Sequence, residues 1–270
     1  MESILLYNTP VPDDPKALSQ QRFSTFAQRY VDSPTHAQGH DLTRLCEIAN
    51  LQPTWTVLDI ATGGGHTALK LAPHTKQIIA CDYSGPMLKA ARENSIHQDQ
   101  DNISFCLNDA EVLPYPADAF DLVTCRLASH HFPMVPSFIK ESARVLNPGS
   151  YLLLQDQLVP DDQASARFIN NFECLRDPSH IQAFSAGQWT NLISSRGFEI
   201  QQIEDIPKRH SLADWAGRQG CSAAIIQQLQ NMLASAPAHA LAWMQPDKIN
   251  MTSASFLIHN VIVLALKLDA

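Results

Sequence analysis

The sequence has no long apolar run, no run of basic residues and no paired cysteines. None of its apolar stretches reaches the roughly 20 residues a bilayer-crossing helix needs, so no membrane partner is expected. It carries 19 Lys and Arg against 27 Asp and Glu, a formal net charge of −8. Its positive charges form no cluster able to neutralise a phosphate backbone, which argues against nucleic acid as the main partner. Six cysteines, at 46, 81, 106, 125, 174 and 221, show no C-x-x-C spacing. Cys81, Cys106 and Cys125 fall in expected core strands, so all six read as reduced thiols of a cytoplasmic protein. H-x-x-H spacing and a Cys/His quartet are also missing, and no metal site is expected. The opening M-E-S-I-L-L-Y is brief and acidic, unlike a secretory signal. No internal repeat or low-complexity segment occurs.

What is present is an ordinary globular composition, 45% hydrophobic and 17% charged over 270 residues, enough to bury a substantial core. Glycine is scarce at 10 residues, yet three stand together, Gly63, Gly64 and Gly65. They follow Val57, Leu58 and Ile60, an apolar run that Asp59 interrupts, and they precede the helical spacing of Thr67 to Leu71. This is a buried strand, a turn with almost no side chain, and a helix, the nucleotide-cradling half of a doubly wound sheet. Gln77 to Cys81 is a second apolar strand that ends on Asp82. Asp82 lies roughly 20 residues past the glycines, where an acid can accept hydrogen bonds from ribose hydroxyls. Asn102 to Leu107 alternates like a third strand and leads to Asn108, Asp109 and Ala110. A polar residue at the carboxyl end of each strand lines one crevice.

The segments VLDIATGGGH, ACDYSGPMLKAA, NDAEVLPYPADAFDLVTCR, LASHHF and ARVLNPGSYLLL occur in that order between Trp55 and Asp156. Together they resemble the class I S-adenosylmethionine (SAM) methyltransferases, in the branch that includes the ubiquinone/menaquinone C-methyltransferases. The resemblance implies an α/β fold, a doubly wound, mostly parallel seven-stranded Rossmann-like sheet with a helical lid and insertions. It also implies SAM as cofactor, with S-adenosylhomocysteine as product. Residues 1–50 would be an N-terminal helical lid and 51–160 the SAM-binding core. Residues 161–197 would be a helical insertion, and 198–270 the rest of the sheet with further helices, all in one compact domain.

Carried over residue by residue, Asp59 would serve the methionine amine or the loop amides. Gly63 and Gly65 match the last two glycines of the acid-x-G-x-G-x-G pattern, with Ala61 in place of the first. Asp82 would take both ribose hydroxyls, Tyr83 and Met87 the adenine face, and Asp109 with Ala110 the adenine amino group. Arg126 ends the fourth strand beside the expected sulfonium, as a cofactor or catalytic contact or as a structural ion pair. His130 and His131 are the proton-transfer candidates, although one of them could simply hold its loop. His36, His131, Arg176, His180 and Trp189 are expected to face the substrate. Phe23, Phe26, Phe168, Phe172, Trp189 and Trp215 suggest an apolar pocket for a small molecule. Neither the N-P-P-Y motif of amino-methylating DNA enzymes nor the thiol pair of arsenite methyltransferases is present.

The leading expectation is methyl transfer to a small organic molecule, on oxygen or carbon rather than nitrogen. A methyltransferase-fold cyclase and a non-catalytic SAM-binding subunit are the alternatives. An apolar last strand, Phe256 to Leu266, expected near a sheet edge, leaves a homodimer open.

Overall fold

Strand β1 (Thr56–Ile60) is short, almost wholly buried and central. In the computed structural model, which describes residues 14–31, 37 and 39–269, β1 lies between β2 (Gln77–Asp82) and β4 (Phe120–Arg126), parallel to both. β3 (Ile103–Leu107) adds outside β2, and β5 (Leu146–Leu158) outside β4. β7 (Ser255–Lys267) then runs antiparallel between β5 and β6 (Phe198–Ser211). The order is β3-β2-β1-β4-β5-β7-β6, so the sheet has the expected seven strands. Because β1 to β5 are parallel, their carboxyl ends open on one side, and the strand order reverses between β1 and β4. That reversal point is where such sheets bind ligands.

Two expectations about strands need correcting. β7 is flanked on both sides, so its backbone is not an edge available for pairing; β6 and β3 are the edges. β5 extends well past the expected Tyr151–Leu154, because its far half pairs with β7 as far as Leu158 opposite His259.

Helices cover the sheet. α1 (Pro15–Val31) and α2 (His40–Ala49) precede it, and α3 (His66–Leu71) follows the glycine turn. α4 (Gly85–His97) starts as the Ser-Gly-Pro sequence dictates: the Ser84 hydroxyl accepts from the Met87 N–H, with Pro86 in the first turn. α5 (Val135–Val145) buries Val135, Phe138, Ile139 and Val145 on one face. α6 (Gln163–Arg176) and α7 (Ala186–Ser194) connect β5 to β6, and α7 opens with a reciprocal Ser185–Gln188 capping box. α8 (Leu212–Arg218), α9 (Ala223–Ala234) and α10 (Ala238–Met244) sit between β6 and β7. Among the described residues, no helix is long and apolar enough to cross a membrane.

The main core lies on both faces of the sheet. A second core joins α6 and α8 to β7, where Phe172 stacks on Trp215 at 5.2 Å and both rings meet Phe256 edge-on. Aromatic pairs of this kind add about 0.5–1.5 kcal/mol beyond their burial. This second core sets the floor of a cavity described below.

At the glycine turn, Gly65 holds φ +81°, and a Cβ there would stand 3.1 Å from the Ala91 Cβ. Gly65→Ala is therefore expected to cost at least about 1–2 kcal/mol, read as a lower urea midpoint at unchanged slope. Ala61, which replaces the first glycine of the motif, also has positive φ, at 52°. A glycine would adopt that conformation without strain, which accounts for the usual residue there.

Candidate active site

The tips of β1, β2 and β3 converge on one cleft of about 1100 Å³, counting the part open to solvent. Asp59 is buried, and both its oxygens are engaged: Thr124 and Thr62 each donate a hydroxyl hydrogen bond at 2.6 Å. Burial raises its pKa to about 6, against the lowering effect of those hydroxyls. Asp59 thus ties the glycine turn to β4. Asp82 is half-buried and accepts the Gly63 N–H at 2.9 Å and the Ser84 N–H at 2.8 Å. Withdrawal from water lifts its pKa, and the N–H donors of Ser84, Gly63 and Tyr83 oppose the rise. A carboxylate offers about four lone-pair sites, so Asp82 retains acceptor capacity toward the cleft. Tyr83 is 42% exposed, unusual for a large aromatic side chain, and it lines the cleft with Met87 and Ala110. Asp109 lines it too, with one oxygen bound to Lys16 at 2.6 Å and the other capping the Glu111 N–H.

Helix α1 lies over this cleft. Lys16, Gln20 and Ser24, at i, i+4 and i+8 on one helical stripe, reach Asp109 and Glu111, the Tyr83 carbonyl, and the Ser84 hydroxyl. The neighbouring residues Ser19, Phe23 and Tyr30 line the cleft itself.

A second cavity, of about 600 Å³ counting the part open to solvent, adjoins the first. Phe23, Tyr30, Leu127 and His131 line both. Its other walls are Asp41, His130, Gln157, Arg176, Lys208, His210, Trp215, Arg218, Ile258 and Asn260.

The two histidines differ in state. His130 Nδ1 lies 2.5 Å from Asp156 Oδ1, and its backbone N–H donates to the same carboxylate at 2.9 Å. Burial alone would lower the His130 pKa, but the Asp156 charge and hydrogen bond outweigh it and the net shift is upward. His131 Nδ1 lies 2.9 Å from the Ser179 carbonyl oxygen, which can only accept, so this nitrogen carries the proton. Nε2 keeps its lone pair. Burial, then the neighbouring His130 charge, pushes His131 down to about 4. Phe23 packs edge-on against its ring at 4.8 Å.

Other expected residues fall differently. Arg126 lines the cleft, but its guanidinium is committed to Asp41 at 2.6 Å and to Gln155 at 3.0 Å, both groups being almost wholly buried. This is the ion pair that one of the two readings expected. Asp41 correspondingly turns inward instead of capping α2, whose N-cap is Gly39. Arg176 lines the second cavity. His180 is buried behind it, donating through Nε2 to the Asn170 side-chain oxygen, and lines neither cavity. Trp189 is a core residue packed on Phe184, 1% exposed, and also reaches neither. Phe168 and Phe172 belong to the second core, and Phe26 lies under the Arg22 and Arg29 guanidiniums. His36 lies outside the described residues.

Asp156, Lys208, His210 and Arg218 were not anticipated. Asp156 follows the apolar Leu152–Leu154 run just as Asp59 and Asp82 follow theirs, a signal that was available. Lys208 and His210 share the inward parity of β6, where even-numbered residues are the shielded ones.

A methyltransferase domain model matches residues 58–154, the stretch from β1 to β5 that carries these tips. The chain is 35% identical over 203 residues to the uncharacterized methyltransferase YcgJ of Bacillus subtilis, covering 74% of this chain and 79% of that one. The chain belongs to the SAM-dependent methyltransferases. A solved protein from Bacillus halodurans C-125 superposes on this methyltransferase with a TM-score of 0.82 and 33% identity, over 86% of this chain and 100% of that one. The ubiquinone/menaquinone biosynthesis C-methyltransferase UbiE of Pseudomonas fluorescens is 32% identical over 130 residues, 47% of this methyltransferase and 51% of UbiE.

Proposed function

We propose that this protein binds SAM in the cleft at the tips of β1 to β3 and methylates a small organic molecule held in the adjoining chamber, on oxygen or carbon. The adjacency of the two cavities, with His131 in the wall of both, is the observation that carries this reading. The cleft suits the cofactor: glycines hold its floor open, an acid with spare acceptor capacity faces it, and an exposed aromatic ring lines it. Asp82 would bind the ribose diol, Tyr83 and Met87 the adenine faces, Asp109 and Ala110 the adenine amino group, and the Gly63–Gly65 backbone the methionine end. SAM supplies an electrophilic methyl group, and its sulfur keeps the electron pair of the broken bond.

The remaining work falls to the chain. Asp59 holds the glycine turn to β4. α1 covers the cleft and keeps water out while Phe23 and Tyr30 wall the junction. His131 accepts the acceptor's proton at Nε2, which suits a hydroxyl or an acidic carbon. Most of the rate then comes from positioning the partners.

Isothermal titration tests the first half. S-adenosylhomocysteine should bind, and Asp82→Ala should weaken it by more than about tenfold, because hydrogen bonds to a charged acceptor are lost. Absence of binding to the wild-type protein would remove the reading. A product heavier by one CH₂ separates methyl transfer from cyclisation, which leaves the mass unchanged.

A further inference from the structure

The chamber beyond His131 holds an excess of positive charge. Arg176, Lys208 and Arg218 line it, and none of the three lines the cofactor cleft. Among the described lining residues the single carboxylate is Asp41, and it is already paired with Arg126 at 2.6 Å and Lys208 at 3.1 Å. Further acids lie near it, among them Asp214, whose charge acts on Arg218 without an ion pair among the described residues. Asp177 is engaged by Arg22 and Ser179, and Glu173 is buried with its pKa raised by that burial. Neither forms an ion pair with Arg176 or Arg218 among the described residues.

Arg176 is only 9% exposed; its Nε donates to the Trp215 carbonyl at 3.2 Å and its guanidinium lies 4.8 Å over the Trp215 ring. The Nε of Arg218 is buried with no hydrogen-bond partner among the described residues. Guanidiniums drawn partly from water with no carboxylate in direct contact are costly, and two in one cavity repel. The field they set up is felt by His210, which burial and then the charges of Arg218, Lys208 and Arg176 push down to about 3. An ammonium-bearing acceptor would meet that same field.

We propose that the chamber binds the acceptor through an oxyanion, a carboxylate or a phosphate, gripped by Arg176 and Arg218 away from the cofactor cleft. The planar fork of each guanidinium matches either anion. Trp215, Phe23 and Ile258 supply apolar wall for the body of the molecule, and its nucleophilic atom then faces His131. The anion is a handle and not the methylated group, because the arginines line only the chamber. This inference rests on the chamber being the acceptor side of the methyltransferase site.

The test is calorimetric titration of benzoate, phenyl phosphate and the neutral benzamide into protein saturated with S-adenosylhomocysteine. At least one anion should bind and benzamide should not. The stronger anion identifies carboxylate or phosphate as the handle. Arg218→Met should weaken that anion by more than about tenfold with S-adenosylhomocysteine affinity unchanged, and Arg218→Lys should recover part of the loss. Equal binding of benzamide and benzoate, or no binding of either anion, would overturn the proposal. If Arg218→Met does not fold, the anion-against-amide comparison on the wild-type protein decides alone. If S-adenosylhomocysteine itself does not bind, the methyltransferase reading fails separately, and anions titrated into ligand-free protein still report on the arginine grip.

Discussion

Replacing His131 by alanine is expected to lower kcat by about 10²–10⁴-fold, the usual contribution of a positioned general base. The reason lies in the hydrogen bonds around the ring. Both groups near Nδ1 accept its proton: the Ser179 carbonyl at 2.9 Å, and the Ser179 hydroxyl, whose own hydrogen goes to Asp177 at 2.6 Å. That fixes the tautomer and leaves Nε2 its lone pair, on a residue that lines both cavities. Burial and the charge on His130 hold the His131 pKa near 4, so the base is neutral throughout the neutral range. The acid limb of kcat/KM should therefore fall as pH drops through about 4, and not near the ordinary histidine value of 6.5. Asp156→Asn removes the anion that raises the His130 pKa, which weakens the His130 charge acting on His131, so the His131 pKa should rise and that limb should move to higher pH. A structural role alone would leave the pH profile where it was. An unchanged kcat in His131→Ala would eliminate the base assignment.

Asp41→Ala is expected to destabilise the fold by about 3–5 kcal/mol, because it strands the buried Arg126 guanidinium. Asp41 is 3% exposed and receives Arg126, Gln155 and Lys208 at once. Burial favours its neutral form, but the Arg126 charge, the Gln155 and Arg126 hydrogen bonds and the Lys208 charge hold its pKa well below the usual carboxylate range. A depressed folded-state pKa stabilises the protein above the unfolded value of 3.8, and that contribution is lost as pH falls below it. The urea midpoint at neutral pH, compared between wild type and variant at equal slope, measures the effect. Arg126→Met in the Asp41→Ala background should recover part of the loss, since no unpaired charge then remains buried. A loss below about 1 kcal/mol would mean that water reaches Arg126 and the pair is not structural.

These two results concern residues of different legibility. His131 stood in a recognisable loop, but the sequence could not choose between it and His130. The proposal of His131 rests on Asp156 and Ser179, which approach the pair from β5 and from the segment between α6 and α7. Arg126 was equally open between catalysis and an ion pair, and its partner lies 85 positions earlier in the chain. Trp189 and His180 looked like substrate contacts because an insertion near a site attracts that reading. Trp189 faces the core because α7 packs its apolar stripe on the sheet, and His180 is turned to Asn170 of α6.

The sequence by itself determined the sheet, the glycine turn and the acid-tipped strands. Each of these depends on neighbours within a few residues: strand alternation, positive φ after a strand, and a proline at a helix start. Tertiary structure alone decided which charges meet. It paired Asp41 with Arg126, moved the pKa of His130 up and that of His131 down, and gathered Arg176, Lys208 and Arg218 around one chamber. Coulombic energy depends on distance and burial in three dimensions, and neither is encoded in the local pattern of a chain.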